Sequence, residues 1–226
     1  MPIIDDPFAP GAPYYEAWYD TPAGSRADAL EKGLLSHLLH LAFADAASAL
    51  EIGCGTGHFA RWLEQQGLSV VGLDRSAAML AEGRPESKVP LLQGDAHQLP
   101  FADHAFDVVV LITTLEFVAD PVHVLCEALR VARQGVLLGV LNRYSLLGLQ
   151  RRLAERSQRT VYSAARFYGV SELRRLVGLA VGARAQVTWR TTLFPRLCPW
   201  HEAPLPGGGL IGMAVRRPAR QEPGAP

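Results

Sequence analysis

The peptide Leu50-Glu51-Ile52-Gly53-Cys54-Gly55-Thr56-Gly57-His58 gathers the residues best suited to shape a ligand site. An apolar run ends there in three alternating glycines. Glycine lets a backbone turn tightly and lets a ligand approach where a Cβ would block it. Asp74 closes the next apolar run about 20 residues on, the distance at which an acid can accept from ribose hydroxyls. Taken singly, the glycines are a common strand-to-helix turn and Asp74 a helix N-cap. Together, at this spacing, they point to a nucleoside. Two features depart from a dinucleotide fingerprint. His58 stands where a third glycine would let a pyrophosphate meet the helix. Glu51 sets a carboxylate beside the loop, where it repels a pyrophosphate and favours an ammonium or sulfonium. The chemistry is that of a nucleoside bearing positive charge and no phosphate.

The elements that must position these residues alternate regularly. Ser48 to Ile52, Leu68 to Leu73, Pro90 to Gln93, Asp107 to Ile112 and Gly135 to Leu141 are short apolar runs and predict strands. Gly57 to Gln66, Ser76 to Glu82 and Pro121 to Arg133 predict helices between them. Such alternation is the mark of a parallel sheet with helices on both faces. Val108 to Ile112 is apolar on both faces, as a central strand requires. Ahead of the sheet, Asp5 to Pro13 reads as an extended lead-in. A helix follows with Leu30, Leu34, Leu38 and Leu41 as its inner stripe, and Ser25 and Asp28 form a capping-box variant at its start. Helix-rich Ser145 to Gly178 leads into Ala185 to Phe194 and Leu210 to Val215, two runs joined by a Pro/Gly-rich loop and expected to pair antiparallel. The expected fold is α/β: a doubly wound, mostly parallel seven-stranded sheet with an antiparallel final strand and helices on both faces.

Three further motifs follow the glycine loop in order. They are Val71-Gly72-Leu73-Asp74-Arg75-Ser76-Ala77-Ala78-Met79-Leu80, then Gln93-Gly94-Asp95-Ala96-His97-Gln98-Leu99-Pro100-Phe101, then Phe106 to Val110 continuing through Leu115 to Pro121. With the loop, they resemble the class I S-adenosylmethionine-dependent methyltransferases, especially the small-molecule branch that includes ubiquinone and menaquinone methyltransferases. The likeness covers roughly residues 45–141. It implies S-adenosylmethionine as cofactor, S-adenosylhomocysteine as product and a small-molecule methyl acceptor. It also implies a cofactor site of Glu51, Gly53, Cys54, Gly55, Asp74, Arg75, Met79, Asp95, Ala96 and Thr113. Glu51 would lie near the methionine amino group, Asp74 on the ribose hydroxyls and Met79 against the adenine. Asp95, otherwise a turn residue, would accept from the adenine amino group, and Ile112 and Thr113 would line the methionine moiety. Many relatives carry His where this chain has Phe117, and phenylalanine cannot take a proton. Any base must come from elsewhere, or the acceptor needs none.

The resemblance implies a single domain: residues 1–45 an N-terminal helical lid, 46–141 the cofactor-binding core, 142–182 substrate-cover helices, 183–216 a C-terminal strand pair and 217–226 a loose tail. Tyr14, Tyr15, Trp18 and Tyr19 either close that lid over the site or simply pack on the sheet. Between Arg143 and Arg175 eight arginines meet only Glu155 and Glu172, a surplus of six positive charges. Such a run is either a solvated face or an attraction for an anionic acceptor. Glu116 reads as a solvated carboxylate more readily than as a base. His37 and His40, three apart on one helix, lack a third ligand, and no metal is expected.

Over 226 residues, 49% are hydrophobic and 19% charged, with 22 basic side chains against 22 acidic ones. That balance predicts a globular domain and gives no bulk attraction to nucleic acid or an anionic membrane. Cys54, Cys126 and Cys198 are too few and too scattered for a disulfide framework, Met1 to Pro10 has no basic n-region, and no apolar run approaches the length of a membrane span. A cytoplasmic protein is expected. Two other classes remain: an NAD(P)-binding oxidoreductase, disfavoured by Glu51 and His58, and a non-catalytic S-adenosylmethionine-binding protein, which Phe117 brings into view.

Overall fold

The computed structural model describes residues 6–146, 149, 165–182, 185–195, 198 and 201–217. Its strands are β1 (Ser48–Ile52), β2 (Ser69–Asp74), β3 (Leu91–Gln93), β4 (Phe106–Ile112), β5 (Ala132–Leu141), β6 (Gln186–Thr192), β7 (Glu202–Ala203) and β8 (Leu210–Arg216). Its α-helices are α1 (Pro22–Phe43), α2 (His58–Gln65), α3 (Ala77–Gly83), α4 (Pro121–Val131) and α5 (Val170–Val181). All strands form one sheet in the order β3-β2-β1-β4-β5-β8-β6-β7. β1 to β5 run parallel, β8 lies antiparallel between β5 and β6, and β7 pairs antiparallel with β6. Among the described residues the sheet has eight strands rather than the expected seven. The addition is the two-residue β7, too short to show a periodicity in the sequence.

Alternate residues of one strand feed opposite cores. Val108, Val110 and Ile112 pack with α1 and α2, while Val109 and Leu111 pack with α4 and α5. Burial on both faces is why β4 is apolar at every one of those positions. The order reverses between β1 and β4, and ligands in open α/β sheets bind at the carboxyl ends of the strands beside such a reversal.

Helix α1 begins earlier than Ser25. Thr21 is extended and its hydroxyl accepts the Gly24 N–H at 3.0 Å, while Pro22 supplies a first helical residue with φ already set. The buried stripe runs through Glu31, Leu35, Leu38 and Ala42, so Leu41 falls off it and is 58% exposed. The predicted extended lead-in is instead a 3₁₀ segment over Ala9–Tyr14, followed by another over Glu16–Trp18. Most of the predicted tail, and much of the predicted cover including Arg151, Arg152, Arg156 and Arg159, lies outside the described residues.

Candidate active site

Leaving β1, the chain turns at Gly53, where φ is +72°, and again at Gly55, where φ is +56°. A Cβ on Gly53 would lie 2.4 Å from the Thr114 side chain, so both conformation and space demand glycine. Gly53 N–H donates to Leu73 O at 2.7 Å and Gly55 N–H to Asp74 Oδ2 at 2.7 Å, which fixes the loop after β1 to the end of β2. The other oxygen of Asp74 accepts the Ser76 N–H at 2.8 Å. Ser76, rather than Asp74, caps α3 through the Met79 N–H. Burial raises the Asp74 pKa, against the lowering by those two N–H donors.

Glu51 projects from β1 into the same place and is 2% exposed. Its Oε2 is buried and accepts no hydrogen bond among the described residues. Burial, reinforced by the Asp74 carboxylate, pushes its pKa well above the ordinary range. The Ala60 backbone hydrogen bond and the Arg61 charge offset only part of this. A buried carboxylate oxygen without a partner is costly, and a cation seated beside it would remove much of that cost. On the far side, β4 ends at Ile112 and is followed by Thr113, a β-branched residue held at φ +48°. Its N–H donates to Gly139 O at 2.7 Å, and the Thr114 hydroxyl meets the Ile52 and Ile112 carbonyls at 3.0 Å each.

These strand ends wall a cavity of about 480 Å³. All ten predicted site residues line it: Glu51, Gly53, Cys54, Gly55, Asp74, Arg75, Met79, Asp95, Ala96 and Thr113. Cys54 is buried, and burial pushes its thiol far up, so it packs rather than reacts. Phe117 lines the cavity too, and Phe8 meets it edge to face with centroids 4.9 Å apart. Glu116 is buried rather than solvated. Its Oε1 accepts the Leu141 N–H at 2.5 Å, and the side chain is not part of the cavity wall. His37 pairs with Glu202 at 2.6 Å while His40 meets the Ser36 carbonyl at 2.7 Å, so the two rings serve different partners.

The N-terminal segment adds walls that motif spacing does not reveal. Phe8, Tyr15 and Tyr19 line the cavity, as do His58 and His97. The Tyr19 ring stacks on His58 with centroids 3.6 Å apart and 8° between planes. His58 Nε2 lies 2.7 Å from Asp28, and Glu16 accepts from the Thr56 hydroxyl and from Arg61 at 2.9 Å. Burial tends to raise the Glu16 pKa, but hydrogen bonds from His58, Thr56 and Arg61 prevail and lower it to about 2. An ionised carboxylate thus sits beside the first turn of α2, where a dinucleotide would need its pyrophosphate. That works against the oxidoreductase reading. Among the described arginines of the basic run, Arg143 and Arg166 share Glu172 at 3.5 and 2.7 Å, while Arg174 and Arg175 are exposed on α5.

Residues 50–140 match the family model of a methyltransferase domain. A Thermotoga maritima S-adenosylmethionine-dependent methyltransferase, described as a possible histamine N-methyltransferase, superposes with a TM-score of 0.78 at 27% identity, covering 93% of this chain and 97% of that one. The magnesium protoporphyrin IX methyltransferase of Synechocystis, solved with S-adenosylhomocysteine bound, shares the fold at a TM-score of 0.67 and 17% identity, over 95% and 98% of the two chains. An uncharacterised Mycobacterium tuberculosis protein is 34% identical over 167 residues, 72% of this chain and 55% of that protein. The malonyl-[acyl-carrier protein] O-methyltransferase of Pectobacterium atrosepticum is 37% identical over 99 residues, 42% of this chain and 39% of the relative. The demethylmenaquinone methyltransferase of Renibacterium salmoninarum is 40% identical over 87 residues, 38% and 37% of the two. The chain spans about half the length, or less, of these three relatives. The chain thus carries a methyltransferase-domain match over residues 50–140 and has the fold of an S-adenosylmethionine-dependent methyltransferase. The cofactor of such enzymes is S-adenosylmethionine and its product S-adenosylhomocysteine, and the unpartnered Oε2 of Glu51 beside a glycine cradle suits both.

Proposed function

We propose that this protein transfers the methyl group of S-adenosylmethionine to a small, ring-bearing acceptor that carries negative charge or a neutral amine. The observation that carries this reading is the buried, unpartnered Oε2 of Glu51 in the wall it shares with the Gly53–Gly55 loop and Asp74. When bound, the cofactor supplies a methyl group already activated by its sulfonium.

The protein's part is binding, alignment and exclusion of water. Glu51 holds an ammonium and is ionised by it. Each oxygen of Asp74 gives one acceptor site to a backbone N–H and keeps another for a ribose hydroxyl. Met79 and Ala96 flank the base, and Asp95 accepts from its amino group. The strained turn at Thr113 presents backbone close to the methionine end. Phe8, Phe117, Tyr15 and Tyr19 form the aromatic part of the wall, which suits a flat acceptor and sheds water. The segment bearing Phe8 to Tyr19 acts as the lid. Phe117 offers no base, so the preferred acceptors are those needing none: a carboxylate, an acidic phenol already ionised, or a free amine. The surplus arginines between Arg143 and Arg175 favour the anionic members of that set.

The test is incubation with methyl-labelled S-adenosylmethionine and a panel of aromatic carboxylates, phenols and amines. Label in one acceptor, with stoichiometric S-adenosylhomocysteine, is the expected result. Tight cofactor binding with no transfer to any of the three classes would favour a non-catalytic binding protein.

A further inference from the structure

We propose that His97 is a positioning residue that fixes the Asp95 carboxylate and thereby makes the site select a 6-aminopurine nucleoside over a 6-oxopurine one. This rests on the reading of Asp95 as the partner of the adenine amino group. Asp95 follows β3 on a loop, and its side chain is 70% exposed. A carboxylate so placed, left to itself, would sample several rotamers and read a base poorly.

His97 removes that freedom. Asp95 Oδ1 accepts two N–H groups of His97, the backbone at 2.9 Å and ring Nδ1 at 2.8 Å. Since a carboxylate only accepts, Nδ1 carries the proton. Nε2 is then an acceptor, and the Asp120 backbone N–H donates to it at 3.3 Å. Both ring nitrogens are therefore specified by their partners. Asp120 is itself anchored, because its Oδ1 caps α4 through the Val122 and His123 N–H groups at 3.1 and 3.0 Å. A continuous set of hydrogen bonds ties the carboxylate to a helix end on the other side of the sheet's reversal point.

Oδ2 of Asp95 makes no hydrogen bond among the described residues, and both Asp95 and His97 line the cavity. An oriented carboxylate oxygen accepts from an amino group and repels a carbonyl oxygen. It distinguishes adenine from hypoxanthine on that ground, and a site built to hydrogen-bond one group rejects the analogue that lacks it.

Calorimetry with S-adenosylhomocysteine and S-inosylhomocysteine, which differ at the purine 6-substituent and in the proton on the adjoining N1, tests the proposal. Wild type should prefer the adenosine form at least tenfold, and D95A should lose most of the preference. H97A should reduce it three- to tenfold. H97N, whose amide can replace the Nδ1 donor, should restore it, whereas H97Q should not. If H97A keeps the wild-type ratio while D95A loses it, His97 does not position the carboxylate. Equal weakening of both ligands in H97A, with the ratio preserved, would likewise reduce His97 to a structural brace. If D95A binds S-adenosylhomocysteine with the wild-type ratio intact, the reading of Asp95 is wrong and this proposal goes with it.

Discussion

Asp74 Oδ2 accepts the backbone N–H of Gly55 at 2.7 Å, so the carboxylate that closes β2 also shapes the loop that closes β1. One residue thus serves loop geometry and, in our reading, ribose recognition. Asp74→Ala should lose about 1.5 to 3 kcal/mol of S-adenosylhomocysteine binding, the scale of hydrogen bonds to a charged group. It should also lower the melting temperature, because the Gly55 and Ser76 N–H groups lose their acceptor. Unchanged affinity, measured by calorimetry in a folded variant, would leave Asp74 with the loop alone.

Glu51 makes a prediction of opposite sign for stability and for binding. Its folded pKa is raised above the unfolded value, so its contribution is most favourable below the unfolded pKa and is lost as pH rises through the folded one. Glu51→Gln should therefore melt higher than wild type without ligand at neutral pH, with the gap closing toward pH 4. The same variant should bind S-adenosylhomocysteine more weakly by about 1.5 to 3 kcal/mol. Cofactor binding to wild type should release protons, seen as a dependence of the calorimetric heat on buffer ionisation enthalpy. A Glu51→Gln variant that melts lower and binds normally would contradict this.

How much of this was readable in advance differs from residue to residue. Strand ends and glycines carry strong local signals, and spacing alone gathers Glu51, Gly55 and Asp74 at one place. Asp95 and Thr113 came from the resemblance, and the structure places both in the same wall. Glu16 gave no signal, because its partner Arg61 lies on α2, beyond a full helix, a strand and a loop, and meets it only in the folded chain. His58 was legible as an obstacle to pyrophosphate, yet its stacking on Tyr19 depends on where α1 directs the chain before it. The start of α1 was misplaced because Ser25 offers a plausible cap, but Thr21 with Pro22 offers a better one. β7 escaped notice because two residues cannot establish an alternation.

The Glu16 clasp has its own pH signature. Its folded pKa, about 2, lies below the unfolded value near 4.5, so its contribution is present above about pH 4.5 and is lost as pH falls toward 2. Glu16→Gln should melt lower than wild type at pH 7, and the two should converge on acidification through that window. Hydrogen exchange over residues 8–19 should be faster in the variant at pH 7. Equal exchange would mean that Phe8, Tyr15 and Tyr19 stay seated by aromatic contacts alone.

The charge of the acceptor is open to measurement once a substrate is found. For an anionic acceptor, kcat/KM should fall with ionic strength, since exposed charges are screened beyond about 10 Å at 0.1 M salt. Arg151→Ala/Arg152→Ala should lower the rate at low salt and flatten that slope. A neutral acceptor, or an unchanged slope, would return the arginines to a solvated surface.

The central claim is that the Glu51–Gly55–Asp74 site binds the methyl donor's nucleoside. The most direct test is titration of the purified protein with S-adenosylhomocysteine by calorimetry, with NADH as the comparison. The account predicts micromolar binding of the former, about −8 kcal/mol, and none of the latter. Absence of heat and of any thermal shift at millimolar S-adenosylhomocysteine, or binding of NADH in its place, would contradict it.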